Sequence, residues 1–197
     1  PQIPQEISSR KGKRVVTFLS ETYARDFGSA PGERGLLGDY KGYTENSVAS
    51  DIWQILQLIP QSTLLVEKVH PADDTKKIGI LDQSQTHTWV RVKDVDLSTL
   101  LWHSDVVIGM QSMAILEAHI FGCCVVSYQP GLIGSDTCTA VRLGYVDRLI
   151  APLKLKKWLN ENLESEFERN IRVLPFADSG TKQKVLEIAL SGMRYAH

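Results

Sequence analysis

Short apolar runs recur along the chain, set apart by polar stretches and by segments with helical spacing. The run from Val15 to Leu19 is apolar and β-branched, as a buried strand requires. Val48, Ile52, Ile55, Leu56 and Ile59 then recur on one helical face, in a helix that begins at Thr44 and stops before Pro60. A second strand runs from Thr63 to Val69 and ends at His70-Pro71, because proline cannot donate to a ladder. Thr88 to Val92 predicts a third strand, and Asp96 caps a helix from Leu97 to His103. Asp105 to Gly109 is a fourth strand, followed by a helix from Met113 to Phe121 with Ser112 as its cap and Gly122 after its last turn. Cys124 to Tyr128 is a fifth strand, Ser135 to Gly144 a short helix and Asp147 to Ile150 a possible sixth strand. Two closing helices are expected over Leu153 to Phe167 and Gly180 to Tyr195.

Two stretches break the rhythm. Ser20 to Tyr43 carries five glycines (Gly28, Gly32, Gly35, Gly38, Gly42) and reads as a long loop, a feature usually tied to function. Ala72 to His87 is polar with little pattern and also reads as a loop. Short strands alternating with helices predict an α/β fold: a doubly wound, mainly parallel sheet of five or six strands with helices on both faces. The expected organisation is a linker over 1–14 and one Rossmann-like domain over 15–197.

Composition narrows the function. The 197 residues suffice for one core, since a chain of this size buries roughly 70 % of its extended surface. Lys and Arg total 22 against 23 Asp and Glu, so no basic surface points to nucleic acid as a partner. No apolar run approaches the ~20 residues of a membrane span, and no signal peptide is read. The 3 cysteines, Cys123, Cys124 and Cys138, form no metal or disulfide pattern and fit reduced thiols in a cytoplasm. The chain opens on Pro1, which is read as the start of a piece cut from a longer protein. No cofactor and no metal site is expected.

In a doubly wound sheet, ligands sit outside the carboxyl ends of the strands, where the strand order reverses. Small and polar residues stand there: Ser20 and Glu21 after the first strand, His70 after the second, Gly109, Gln111 and Ser112 after the fourth, Gln129 and Gly131 after the fifth. Gly109 allows close backbone approach, and the free amides of the helix that begins at Ser112 suit a phosphate or diphosphate. Glu117 shares a helical face with Met113, in an apolar setting. It either accepts hydrogen bonds from ribose hydroxyls or pairs with a structural partner. His70 can bind phosphate, act as acid or base, or make a rigid turn. Ser20 and Glu21 either touch a sugar or cap a turn. No P-loop, dinucleotide fingerprint or nucleophile elbow is present.

The stretches VEKVHP (Val66 to Pro71) and HSDVVIGMQSMAILEAHIFGCCVVSYQPG (His103 to Gly131) resemble the carboxyl-terminal half of GT-B glycosyltransferases. They also resemble sugar-nucleotide 2-epimerases, lipid-A-disaccharide synthase and wall-polymer glycerophosphotransferases. The resemblance implies a domain that binds a nucleotide-sugar donor, with a missing amino-terminal domain supplying acceptor and catalytic base. Ser112 and the following amides would hold the diphosphate, Glu117 the ribose, and His70 would lie near the phosphates or base. Ser20, Glu21, Gly109, Gln111, Met113 and Gln129 would complete the nucleotide site. The chain departs from the pattern at Ser20-Glu21-Thr22-Tyr23, which replaces a glycine-rich turn, and at Cys123-Cys124, which replaces Lys-Pro. The implied parent is a transferase of glycan or surface polysaccharide synthesis, and the isolated chain is expected to be inactive. The alternatives are half of an epimerase-like enzyme and a non-catalytic interaction or sensor domain, which the glycine-spaced loop keeps open.

Overall fold

The computed structural model describes residue 7, residues 12–73 and residues 76–164. The elements are β1 (Arg14–Leu19), α1 (Tyr23–Phe27), α2 (Glu45–Leu56), β2 (Thr63–Lys68), β3 (Gly79–Gln83), β4 (His87–Val92) and α3 (Leu97–His103), followed by β5 (Val106–Gly109), α4 (Ala114–Ile120), β6 (Cys124–Tyr128), α5 (Thr139–Arg142), β7 (Asp147–Leu149) and α6 (Pro152–Glu164). The expected linker over 1–14 gives up Arg14 to β1; most of it, and the closing helix expected over Gly180 to Tyr195, lie outside the described residues.

The sheet has seven strands in the order β3-β4-β2-β1-β5-β6-β7. Six are parallel, and β3 alone runs antiparallel, along the free side of β4 with a register shift between Ile80 and Asp82. The six parallel strands thus start at the centre with β1, build outward through β2 to β4, then return to β5 beside β1 and build the other way. That is the doubly wound, Rossmann-like arrangement, and its order reverses between β1 and β5. One strand more is found than the five or six expected, because β3 lies inside the polar stretch after His70.

Alternation along β1 explains the two faces. Val16 and Phe18 pack with Val48, Ile52 and Leu56 of α2 and with Leu155 and Leu159 of α6. Val15 turns the other way, onto Val66, Val90 and Leu100, and Leu19 onto Leu101, Ala118 and Phe121. Helices therefore cover both faces, and the parallel strands are nearly continuous apolar runs because neither face meets water. Two caps behave as their residue types dictate. The Thr44 side chain accepts from the Ser47 amide while the Ser47 hydroxyl accepts from the Thr44 amide, at 3.1 and 2.9 Å. Asp96 accepts from the Thr99 amide at 2.8 Å.

Gly109 is needed for packing: a Cβ there would stand 2.5 Å from Ile115 Cγ1. The helix α4 can thus lie against the end of β5. The long loop after β1 is more ordered than its glycines suggested. It carries α1, and its far end is tied to the loop after β6, where the Ile133 amide donates to the Lys41 carbonyl at 2.8 Å.

Candidate functional site

The register of β1 on β5 pairs Leu19 with Gly109. Glu21 and Gln111 each follow two residues later, so the two chain exits face each other where the strand order reverses. A cleft of about 350 Å³ opens there. Glu21 and Thr22 line it from the link between β1 and α1, Arg25 from α1, His70 from the end of β2, Gln111 and Ser112 from the end of β5, and Thr137 from the loop after β6.

Glu21 is the centre of this geometry. One oxygen of its carboxylate accepts from the Gln111 amide at 2.8 Å and from the Ser112 amide at 2.9 Å. Burial pushes its pKa above the ordinary 4.5, with the Asp26 charge adding to the rise and the turn's amides opposing it. A carboxyl group is therefore held by backbone amides in a largely desolvated place. The Gln111 side chain fixes the same turn: its oxygen accepts from the Thr137 hydroxyl and its nitrogen donates to Tyr43 Oη at 3.4 Å. Tyr43 stacks on Tyr23 with ring centroids 4.9 Å apart, and burial raises both phenols far above their usual range.

A charged network supports the β1 side. Lys76 Nζ lies 3.0 Å from Ser20 Oγ and 3.1 Å from Glu67 Oε1. Glu67 is wholly buried in β2 and is paired a second time by Arg91 at 2.9 Å. A charge at that depth is tolerable only when so paired. At the cleft mouth, the Arg25 guanidinium reaches Asp26 at 2.8 Å, Thr22 Oγ1 at 3.0 Å and the Ala72 carbonyl at 3.4 Å. His70 Nδ1 accepts from the Ala72 amide at 3.2 Å. Arg25 thus straps the loop after β1 to the loop that carries His70.

The structure brings Glu21, His70, Gln111 and Ser112 together in the cleft and places Ser20 beneath it, under Lys76. Ser112 Oγ accepts from the Ala114 amide at 3.2 Å, the bond an N-cap makes to the second residue of a helix from Met113, while the helix itself spans Ala114–Ile120. Met113 is exposed, and Glu117 is not among the cleft-lining residues; partial burial and the Asp96 carboxylate raise its pKa. Gln129 is fully buried behind the turn, where its amide nitrogen donates to the Met110 carbonyl at 3.1 Å and the Asp136 carboxylate at 3.0 Å. It braces the cleft from behind. Arg25, Asp26 and Thr137 were not singled out from the sequence; the departure from a glycine-rich turn at Ser20 to Tyr23 was the one signal that pointed near them. Among the described residues, no three His, Cys, Asp or Glu side chains gather as metal ligands. No described helix is long and apolar enough to cross a membrane.

The class defined by fold and cleft is a doubly wound Rossmann-like α/β domain with a polar site at its switch point. No protein-family model matches the chain, and no curated protein matches it. Among solved structures it is similar to the glycotransferase of kitacinnamycin, at 14 % identity and a TM-score of 0.45, covering 100 % of this chain and 43 % of that one. It is also similar to a putative UDP-N-acetylglucosamine 2-epimerase from Listeria monocytogenes, at 13 % identity and a TM-score of 0.46, covering 94 % and 46 %. The chain spans less than half the length of either protein.

Proposed function

We propose that this chain is the donor-binding domain of a glycosyltransferase-like protein of glycan or surface polysaccharide synthesis, with a nucleoside-diphosphate sugar as its ligand. The supporting observation is the pair of amides, Gln111 and Ser112, converging on one carboxylate oxygen at the switch point. Converging backbone amides favour negative charge, and a diphosphate offers it in the same form. On this reading the diphosphate takes the Gln111–Ser112 turn, with Arg25 at the mouth of the cleft as a cation to balance it and His70 beside it. Glu117, on the next turn of chain, receives the ribose hydroxyls. The turn amides and the His70 ring would then stabilise the departing nucleoside diphosphate, which is electrostatic catalysis of leaving-group departure. The acceptor site and the general base belong to a second domain, so the chain by itself binds and does not turn over.

The test is an NMR titration with UDP, CDP, GDP, ADP and CMP. Shifts confined to Gly109 to Glu117 and His70, for one base above the others, support the reading. Half a cleft binds weakly, and a dissociation constant near 1 mM is only about 4 kcal/mol. One observation favours a second reading, a non-catalytic interaction domain: Glu21 already satisfies the amides that a donor would use. Absence of any nucleotide shift at high concentration supports that second reading.

A further inference from the structure

Glu21 occupies the same two amides that the nucleotide reading gives to a phosphate, and the inference drawn here rests on that reading. A carboxylate and a phosphate oxygen cannot share the Gln111 and Ser112 N–H groups, which meet Glu21 Oε1 at 2.8 and 2.9 Å. Side by side they would also repel in a desolvated place. We propose that Glu21 is a built-in competitor for the ligand: its carboxylate closes the turn, and an incoming phosphate takes the amides only when that carboxylate withdraws.

Three features make the exchange workable. Glu21 belongs to no helix or strand, lying between β1 and α1, so its side chain can swing without breaking a ladder. The turn itself is held independently of Glu21, because Gln129 braces the Met110 carbonyl and Thr137 and Tyr43 hold the Gln111 side chain. The turn can therefore keep its shape when one anion replaces another. Charge is balanced at the cleft mouth by Arg25, whose side chain is half exposed and whose partners are Asp26, Thr22 and the Ala72 carbonyl. An arriving phosphate gains Arg25, which lines the same cleft, as a counter-ion. A free anion site would take any phosphate in the cell; a competitor on the same amides restricts it to ligands that bring further contacts, such as a base and ribose.

The experiment titrates inorganic pyrophosphate and the same nucleotides into the full chain as wild type, Glu21→Ala, Glu21→Gln and Arg25→Ala, following the Gln111 and Ser112 amide signals. The expected result is tighter pyrophosphate and nucleotide binding by Glu21→Ala, on the order of tenfold or more, and weaker binding by Arg25→Ala. Glu21→Gln keeps an amide acceptor of the same shape and serves if the alanine variant does not fold; its binding is expected to exceed that of the wild type by less. In Glu21→Ala, pyrophosphate is also expected to raise the melting temperature more than in the wild type. If nucleotides bind wild type and both Glu21 variants alike, the competitor idea falls and the nucleotide reading stands. If pyrophosphate binds Glu21→Ala and nucleotides bind it no better, the competitor stands and the nucleotide reading falls. If neither ligand moves the two amides in any variant, both fall.

Discussion

Glu67 on β2 and Arg91 on β4 are register partners in the sheet, and the guanidinium lies 2.9 Å from a carboxylate with no exposed surface. Lys76 approaches the other carboxylate oxygen at 3.1 Å. Removing the carboxylate strips Arg91 of this partner and leaves Lys76 with Asp73 at 3.9 Å. Glu67→Ala is expected to cost about 3–5 kcal/mol, the range for breaking a buried ion pair from one side. Urea denaturation measures it. Glu67→Gln keeps the shape and is expected to cost less; equal losses for the two variants would mean that packing, not charge, sets the effect.

Gly109→Ala is expected to destabilise by about 1–3 kcal/mol through overpacking, because its Cβ would meet Ile115 Cγ1 at 2.5 Å. A double-mutant cycle checks the cause. On an Ile115→Ala background the same substitution is expected to cost much less, since the clashing atom is gone.

Glu21 sets part of the pH dependence of stability. Its folded pKa is raised, so between the ordinary 4.5 and that raised value the native chain holds a proton that the unfolded chain has released. Stability therefore falls as pH rises through this window. Asp26 faces the same carboxyl and strengthens the trend, while the hydrogen bonds from the turn amides oppose it. Unfolding curves from pH 4 to pH 7 are expected to show a smaller decline in Glu21→Gln than in the wild type.

His87 acts in the opposite sense. Burial, with Lys13 nearby, depresses its pKa below the ordinary 6.5, and its Nδ1 lies 2.8 Å from Thr63 Oγ1. The unfolded chain takes up the proton first, so stability is lost as pH falls below 6.5. His87→Gln is expected to flatten that loss. An NMR titration of the ring is expected to show protonation below the usual pH, and a normal midpoint would overturn the account.

Glu117→Ala is expected to weaken binding of nucleoside diphosphates while leaving pyrophosphate affinity unchanged, because the proposed ribose contact lies apart from the turn. Its raised pKa has partial burial and Asp96 as causes, so the variant is not expected to reduce stability. Unchanged nucleotide affinity would remove Glu117 from the site.

The sequence carried those parts of the fold that depend on local chemistry. The β-branched runs mark β1, β5 and β6, and Asp96 marks the start of α3 to the residue. Two elements escaped it because tertiary contacts make them. The helix α1 has five residues, too few to nucleate alone, and Glu45 holds its Ala24 amide at 2.9 Å from across the loop. The strand β3, with the sequence GILDQ, is polar because it lies at the sheet edge, so its pattern matches a loop. The cleft was legible as a place, since strand ends can be read from the chain. The role of Glu21 was not: it depends on the pairing of Leu19 with Gly109, a contact between positions 90 residues apart. Gln129 shows the same limit from the other side, a polar residue at a strand end that turned out to brace the turn from within the protein.

That edge strand has a bearing on the life of the molecule in a concentrated solution. A parallel sheet ending on β4 would offer a long, straight row of open amides to any passing chain. Instead it ends on five residues that run backwards, break register between Ile80 and Asp82, and carry a carboxylate anchored by the Trp53 indole at 3.0 Å. A colliding strand meets a short, kinked and charged template. The chain can keep a strongly apolar parallel core because the side on which that core would otherwise recruit its own kind has been blunted.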